Sequence, residues 1–204
     1  MERIGSFLVR TIGDVAEGTI TARQQRGIMK ILLARPVHER PHEIVRDLGL
    51  GYLATSLMRE GHHVRILDCS KDGLDHSGFA DVLKKGGYDL VGLKIFSNEL
   101  SSSAKMIRIT KKQDRKPWVV VGGPHVSGSP RRTMECVKEA DFGFQGEAEG
   151  GFPMLVKSIH DRDSSSYSEI PGLIFREEKA LRVNPQVFPQ DLDELGMPSW
   201  SLMP

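Results

Sequence analysis

Cysteine is scarce in this sequence. Cys69 and Cys136 are the only two among 204 residues, too few for a disulfide framework or a four-thiolate zinc site. A reducing, cytoplasmic setting is the corresponding expectation. Long apolar runs are lacking as well, none approaching the ~20 residues of a membrane span. The opening, MERIGSFLVRTIGDVAEG, carries charges and glycines where a secretory leader needs an apolar block. Nor is there an excess of one charge: 28 Lys and Arg against 27 Asp and Glu leave a formal net charge of +1. That balance gives no ground for a nucleic-acid partner or an anionic membrane. Basic pairs such as Lys111-Lys112 and Arg131-Arg132 read as solvated helix ends.

What is present is the composition of a soluble globular protein, 39% hydrophobic and 27% charged, long enough for one α/β domain and a short appendage. Residues 1–27 have little periodicity and read as an N-terminal extension. From residue 28 short apolar runs recur without polar alternation: MKILLA (29–34), HVRIL (63–67), DLVGLKIF (89–96), WVVVGG (118–123) and DFGFQ (141–145). Such runs predict strands of a parallel sheet covered on both faces. Helical spacing lies between them. Leu50, Leu53, Ala54, Leu57 and Met58 share one helix face, as do Phe152, Leu155, Val156 and Ile159. Phe79, Val82 and Leu83 suggest a shorter helix, and Ala104, Ile107 and Thr110 another, with the serines at 101–103 as candidate caps. Pro130 suits the first turn of a helix running through Met134 and Val137. The alternation predicts a doubly wound, five-stranded parallel sheet over residues 28–162. Residues 163–204 read as a small β-hairpin, GLIFRE with ALRVN, followed by a proline-rich connector that leaves the domain.

Within RDLGLGYLATSL, Gly49, Gly51 and Ala54 reproduce the spacing G-x-G-x-x-A, and Asp68 closes a later strand. A dinucleotide fingerprint, however, places its first glycine directly after the first strand, so that the helix N-terminus meets the pyrophosphate. Here RPVHERPHEIVRDL intervenes between Ala34 and Gly49. Close packing of the helix on the sheet is the better account of the glycines, and NAD binding the lesser alternative. A phosphoacceptor receiver needs acidic residues, an Asp and a Lys where this chain has Arg35-Pro36, Ser97 and Gly146. A flavodoxin needs a phosphate loop after its first strand, and ARPVHERP offers no such nest.

Ligands of open α/β sheets sit at the carboxyl ends of the strands. Those ends carry His38 and His42, then FSNELSSS, GGPHVSGSP and GEAEGG. The rim is broad, small and polar, without a nucleophile–base pair. It suits a bulky ligand whose arm slides alongside the sheet, and it leaves no catalytic residue to name.

The segments DLGLGYLATSLMREGHHVRILD, YDLVGLKIFSNEL, VVVGGPHVSGSP, ADFGFQGEAEGGFPMLV, IPGLIFRE and FPQDLDELGMPSW follow in this order. As an ordered set they resemble the N-terminal cobalamin-binding domain of B12-dependent radical SAM enzymes. The resemblance covers roughly residues 29–200. It implies a Rossmann-like, flavodoxin-like fold with the corrin ring over the strand ends and the dimethylbenzimidazole arm buried between sheet and helices. On this sequence it implies that Gly122, Gly123 and Ser127 admit and contact the arm, that Ser97 and Leu100 line its other side, and that Gly146 and Glu147 hold a turn near the ring edge. Paired glycines fit because such an arm needs absent side chains more than special ones.

Two features of the wider family are absent. The first loop lacks the D-x-H-x-x-G that ligates cobalt in the methionine-synthase branch; DCSKDG at 68–73 has Ser70 in the ligand place and follows the wrong strand. No protein metal ligand is therefore expected, and His38, His42 and His125 read as loop and turn histidines. The C-x-x-x-C-x-x-C that holds a [4Fe–4S] cluster for S-adenosylmethionine is not in the sequence either. The resemblance then implies that cluster and S-adenosylmethionine reside on a radical SAM barrel, downstream or on a separate chain. Methyl transfer is the expected chemistry of that pair, with a freestanding corrinoid carrier or sensor as the alternative.

Overall fold

The computed structural model describes residues 27–38, 46–178, 180–188, 191 and 193–203. The extension at 1–26 and the loop histidine His42 lie outside the described residues. Strands β1 (Lys30–Arg35), β2 (His63–Asp68), β3 (Leu90–Lys94), β4 (Trp118–Gly122) and β5 (Phe142–Phe144) form the parallel part of one sheet, in the order β2-β1-β3-β4-β5. The chain thus steps to one side of β1 and then to the other, which puts a topological switch point between the carboxyl ends of β1 and β3.

The five expected strands are present, but among the described residues the sheet has seven. Strands β6 (Leu173–Glu177) and β7 (Ala180–Val183) pair with each other antiparallel, and β6 pairs antiparallel with β5. The hairpin was legible in sequence; its docking was not, because Leu173, Ile174 and Phe175 reveal burial only through the β5 edge that they cover.

Among the described residues five main helices cover the two faces. Helix α1 (Leu48–Arg59) and helix α6 (Gly151–Asp161) lie on one, burying Leu50, Ala54 and Leu57 with Phe152, Leu155, Val156 and Ile159 against Ile31, Leu33, Leu90 and Val120. Each fully buried side chain of this kind stabilises the fold by about 1.5–3 kcal/mol. Helices α2 (His76–Gly86), α3 (Leu100–Lys111) and α5 (Pro130–Cys136) cover the other face, where Phe79, Leu83, Met106, Ile107 and Met134 meet Leu32, Val91, Leu93 and Val121. Pro130 opens α5 as its fixed φ allows. The serines at 101–103 do not cap α3. They lie inside it, and Ser103 Oγ donates back to the Glu99 carbonyl 2.8 Å away. A short helix α4 (Pro124–Gly128), read in sequence as loop, turns the chain immediately after β4.

The connector does not leave the domain at 197–203. Ser199 N–H donates to the Gly51 carbonyl at 3.1 Å, Thr55 Oγ1 donates to the Met197 carbonyl at 2.9 Å, and Met203 is buried. Gly51 therefore faces the connector rather than the sheet: a Cβ there would lie 2.5 Å from Met203 Cε and 2.9 Å from Pro198 Cβ.

Candidate functional site

Side chains alternate across β4, so Val120 and Gly122 face the α1/α6 side while Val119 and Val121 face the other. At Gly122 that alternation leaves a gap. A Cβ built there meets nothing nearer than the Phe144 carbonyl oxygen at 3.9 Å. Gly92, in the middle of β3 on the same face, is instead closed over by its neighbours: a Cβ there would lie 2.9 Å from Leu33 Cδ2 and 3.5 Å from Phe152 Cε1. An interior strand glycine marks close approach of another group. Between these two glycines, α1 and the start of α6 lies a cavity of about 410 Å³.

Leu33, Leu50, Val120, Phe144 and Phe152 form its apolar floor, and Gly49, Lys94, Gly123, Ser127, Gly146 and Glu147 line it towards the strand ends. Gly123 has φ +94°, and a Cβ there would come within 2.8 Å of Lys94 Cγ and 3.0 Å of the Ile95 nitrogen, so glycine is required by backbone and space together. Ser127, on α4, accepts the Gly146 N–H on its Oγ at 3.0 Å and so ties the β4 exit to the β5 exit. Past β7 the chain returns to the cavity, where Gln186 and the exposed Phe188 complete its wall.

Five of the seven residues singled out in sequence thus share one cavity: Gly122, Gly123, Ser127, Gly146 and Glu147. Ser97 and Leu100 do not line it. Ser97 is exposed in a 3-10 turn after β3, its Oγ 3.0 Å from His125 Nδ1, and Leu100 packs into the core on the opposite face. Sequence reasoning missed Gly49, Gly92, Lys94 and Glu149 as lining residues. The glycine inside DLVGLK was a readable signal for Gly92, and the second carboxylate of GEAEGG for Glu149.

Cations and carboxylates at the strand ends neutralise one another. Lys94 Nζ lies 2.7 Å from Asp47 Oδ1, and Arg35 stands 3.5–3.9 Å from Asp47, Asp68 and Glu99. Phe96 lies 5.6 Å from the Arg35 guanidinium and 5.5 Å from Lys94 Nζ. Asp47 also caps α1, accepting from Leu50 N–H at 3.1 Å. A resident carboxylate thus occupies the helix N-terminus where a dinucleotide would place its pyrophosphate, which argues against the NAD alternative. Glu149 is buried in the cavity wall. Desolvation pushes its carboxyl above the usual range, reinforced by Glu147, while backbone N–H groups at 148 and 149 and the Lys94 charge oppose the shift.

Among the described residues no group of three His, Cys, Asp or Glu side chains could hold a metal ion. His38 Nε2 lies 3.0 Å from Asn98 Nδ2. The near-motif at 68–73 follows β2, the edge strand, where Asp68 Oδ1 accepts from the Ser70 and Lys71 amides. No described helix is long and apolar enough to cross a membrane.

Fold and cavity together define a class: a doubly wound α/β domain with a glycine-lined cavity at its switch point, where ligands of such sheets bind. The family model for the B12 binding domain matches residues 35–156, and the chain belongs to that family. It is 33% identical over 183 residues to an uncharacterized methyltransferase, PH0819, of Pyrococcus horikoshii, covering 87% of this chain and 39% of that protein. Over 188 residues it is 25% identical to cytidylyl-2-hydroxyethylphosphonate methyltransferase of Streptomyces wedmorensis, covering 80% of this chain and 34% of that one. The chain therefore spans between a third and two-fifths of these relatives. The radical S-adenosylmethionine methyltransferase TsrM of Kitasatospora setae, solved with cobalamin and a [4Fe–4S] cluster, shares the fold at TM-score 0.67 and 23% identity, over 81% of this chain and 30% of that one. The cobalamin-dependent S-adenosylmethionine radical enzyme OxsB, solved with aqua-cobalamin and S-adenosylmethionine, shares it at TM-score 0.74 and 17% identity, over 86% of this chain and 25% of that one. The resemblance seen in the sequence is borne out.

Proposed function

We propose that this domain binds cobalamin and presents its cobalt to a radical SAM barrel, in the same polypeptide or on a separate chain, for methyl transfer. The observation that carries the reading is the glycine-lined cavity of about 410 Å³ at the switch point, within the roughly 300–1,000 Å³ common for small-molecule sites. Both curated relatives are named methyltransferases, which favours methyl transfer.

When bound, the corrinoid supplies a methyl group carried on cobalt. This chain's residues hold and orient it. Gly122 and Gly123 admit the nucleotide arm beside β4, and the floor of Leu33, Val120, Phe144 and Phe152 excludes water from it. Ser127 fixes the turn at Gly146, and Glu147, exposed on that turn, stands towards the ring edge. Ser97 belongs to the rim, and Leu100 acts only through packing. The [4Fe–4S] cluster and S-adenosylmethionine belong to the barrel.

Hydroxocobalamin mixed with the protein and desalted should leave a retained corrin spectrum. Gly122→Val fills the open space on the cavity face and should weaken retention about 5- to 150-fold while the far-UV spectrum is unchanged, a steric cost of about 1–3 kcal/mol. Absence of corrin absorbance with the parent protein would refute the proposal.

A further inference from the structure

The cavity wall beyond β7 is firmly held at one end and bare at the other. Asn184 is buried, and its side-chain amide donates to the Tyr167 and Ile170 carbonyls at 2.7 and 2.8 Å. Its own carbonyl accepts from Gln145 Nε2 at 2.7 Å, and the Pro185 carbonyl accepts from Gly172 N–H at 2.8 Å. These bonds fasten the chain to the exit of β5. Gln186 then lies against the turn at Gly146, where φ is +70° and a Cβ would collide with the Gln186 carboxamide. There the burial stops. Val187 is 61% exposed and Phe188 64%. Phe188 nevertheless lines the cavity, whereas Val187 does not. A single exposed phenyl ring on an open surface needs no explanation. One that is brought by anchored neighbours to the wall of an apolar cavity lies where an occupant would cover it.

We propose, building on the cobalamin reading, that Phe188 is a ligand-contact residue whose ring packs against the aromatic base of the nucleotide arm and so completes the cavity wall. Phe188 lines the same cavity as Gly122, Gly123 and Ser127, the residues that receive the arm in that reading. The chemistry of the lining selects the partner. Phe144 and Phe152 stand in the floor with ring centroids 5.5 Å apart and planes inclined at 37°. Phe188 adds a third phenyl ring, while β4 and the residue after it offer only the glycines 122 and 123. A flat aromatic group meets both conditions: it is thin enough to lie beside glycine backbone, and its faces and edges find rings to pack on. The ring of Phe188 is surface for a ligand and not part of the fold, because it belongs to neither of the two core clusters. Covering it removes apolar area from water, which favours the occupied state.

Absorbance titrations of the whole chain with hydroxocobalamin and with cobinamide, which lacks the nucleotide arm, separate this contact from corrin binding in general. Phe188→Ala should weaken cobalamin binding about tenfold, the scale of an aromatic anchor truncated at a binding site. Phe188→Tyr keeps the ring and should stay within about threefold of the parent. Val187→Ala, at the equally exposed neighbour, should leave cobalamin binding unchanged. None of the three should alter cobinamide binding. Melting curves without ligand should coincide with the parent's, a readout that a structural role for Phe188 would shift. Equal cobalamin affinity in the parent and Phe188→Ala would overturn the Phe188 contact and leave the cobalamin reading standing. So would an equal loss for cobinamide, a loss in Val187→Ala as large as in Phe188→Ala, or a lowered melting temperature of ligand-free Phe188→Ala. Failure of the parent to bind either corrinoid would overturn the reading itself.

Discussion

A Cβ on Gly122 would meet one carbonyl oxygen at 3.9 Å, whereas one on the adjacent Gly123 would lie 2.8 Å from Lys94 Cγ on a backbone at φ +94°. The first glycine leaves a space and the second permits a turn, although the sequence writes them alike. Glu149 shows the same dependence on surroundings. Its carboxyl is raised chiefly by desolvation from a usual value of 4.5. Below that value the folded and unfolded chains both carry the neutral acid. As pH rises, the unfolded chain ionises first, so the folded state loses stability through the interval up to the raised folded value and does not recover it. Glu149→Gln removes the titration. Its stability relative to the parent should therefore increase between pH 4 and pH 7 in urea melts, and a difference independent of pH would show that burial does not raise the carboxyl.

Among the elements, α1 carries the most information and was the most easily misread. Its apolar stripe was clear, and Leu50, Ala54 and Leu57 are buried as that stripe requires. Its two glycines were not interpretable alone. Gly49 lies beside Lys94 Nζ at the cavity, and Gly51 receives Pro198 and Met203 from the connector, more than a hundred residues away in sequence. Replacing Gly51 with Leu should push the connector off α1, costing about 1–3 kcal/mol of stability. Faster proteolytic cleavage within 193–203 would report the displacement, and unchanged cleavage would show that the connector does not depend on this contact. The β6–β7 hairpin teaches a related lesson. The segments GLIFRE and ALRVN forecast a hairpin, but they do not say which sheet edge it will join.

For the whole molecule, the cavity belongs to no single segment: β1, β3, β4, the β5 exit, α1, α6 and the chain after β7 each contribute to its lining. A ligand that fills it bridges these parts only in the folded state and must stabilise that state. At free cobalamin one hundred times its dissociation constant the gain is about 2.7 kcal/mol, and for a chain of this size that should raise the melting temperature by roughly 5–11 °C. A melting curve indifferent to cobalamin would contradict the proposed site.

The sequence by itself determined the alternation of strands and helices, the parallel order they impose, the small-residue rim at the strand ends and the family resemblance. Each is written in local spacing: burial on both faces removes polar alternation from strands, and one-sided burial puts a 3.6-residue period into helices. Only the tertiary structure decided that five of the rim residues share one cavity while Ser97 and Leu100 stand outside it. Only it set the hairpin on the β5 edge, returned the connector to α1, and left a Glu149 oxygen unpartnered. Those outcomes depend on which distant atoms meet, and a one-dimensional pattern records how much burial a residue needs without recording what buries it.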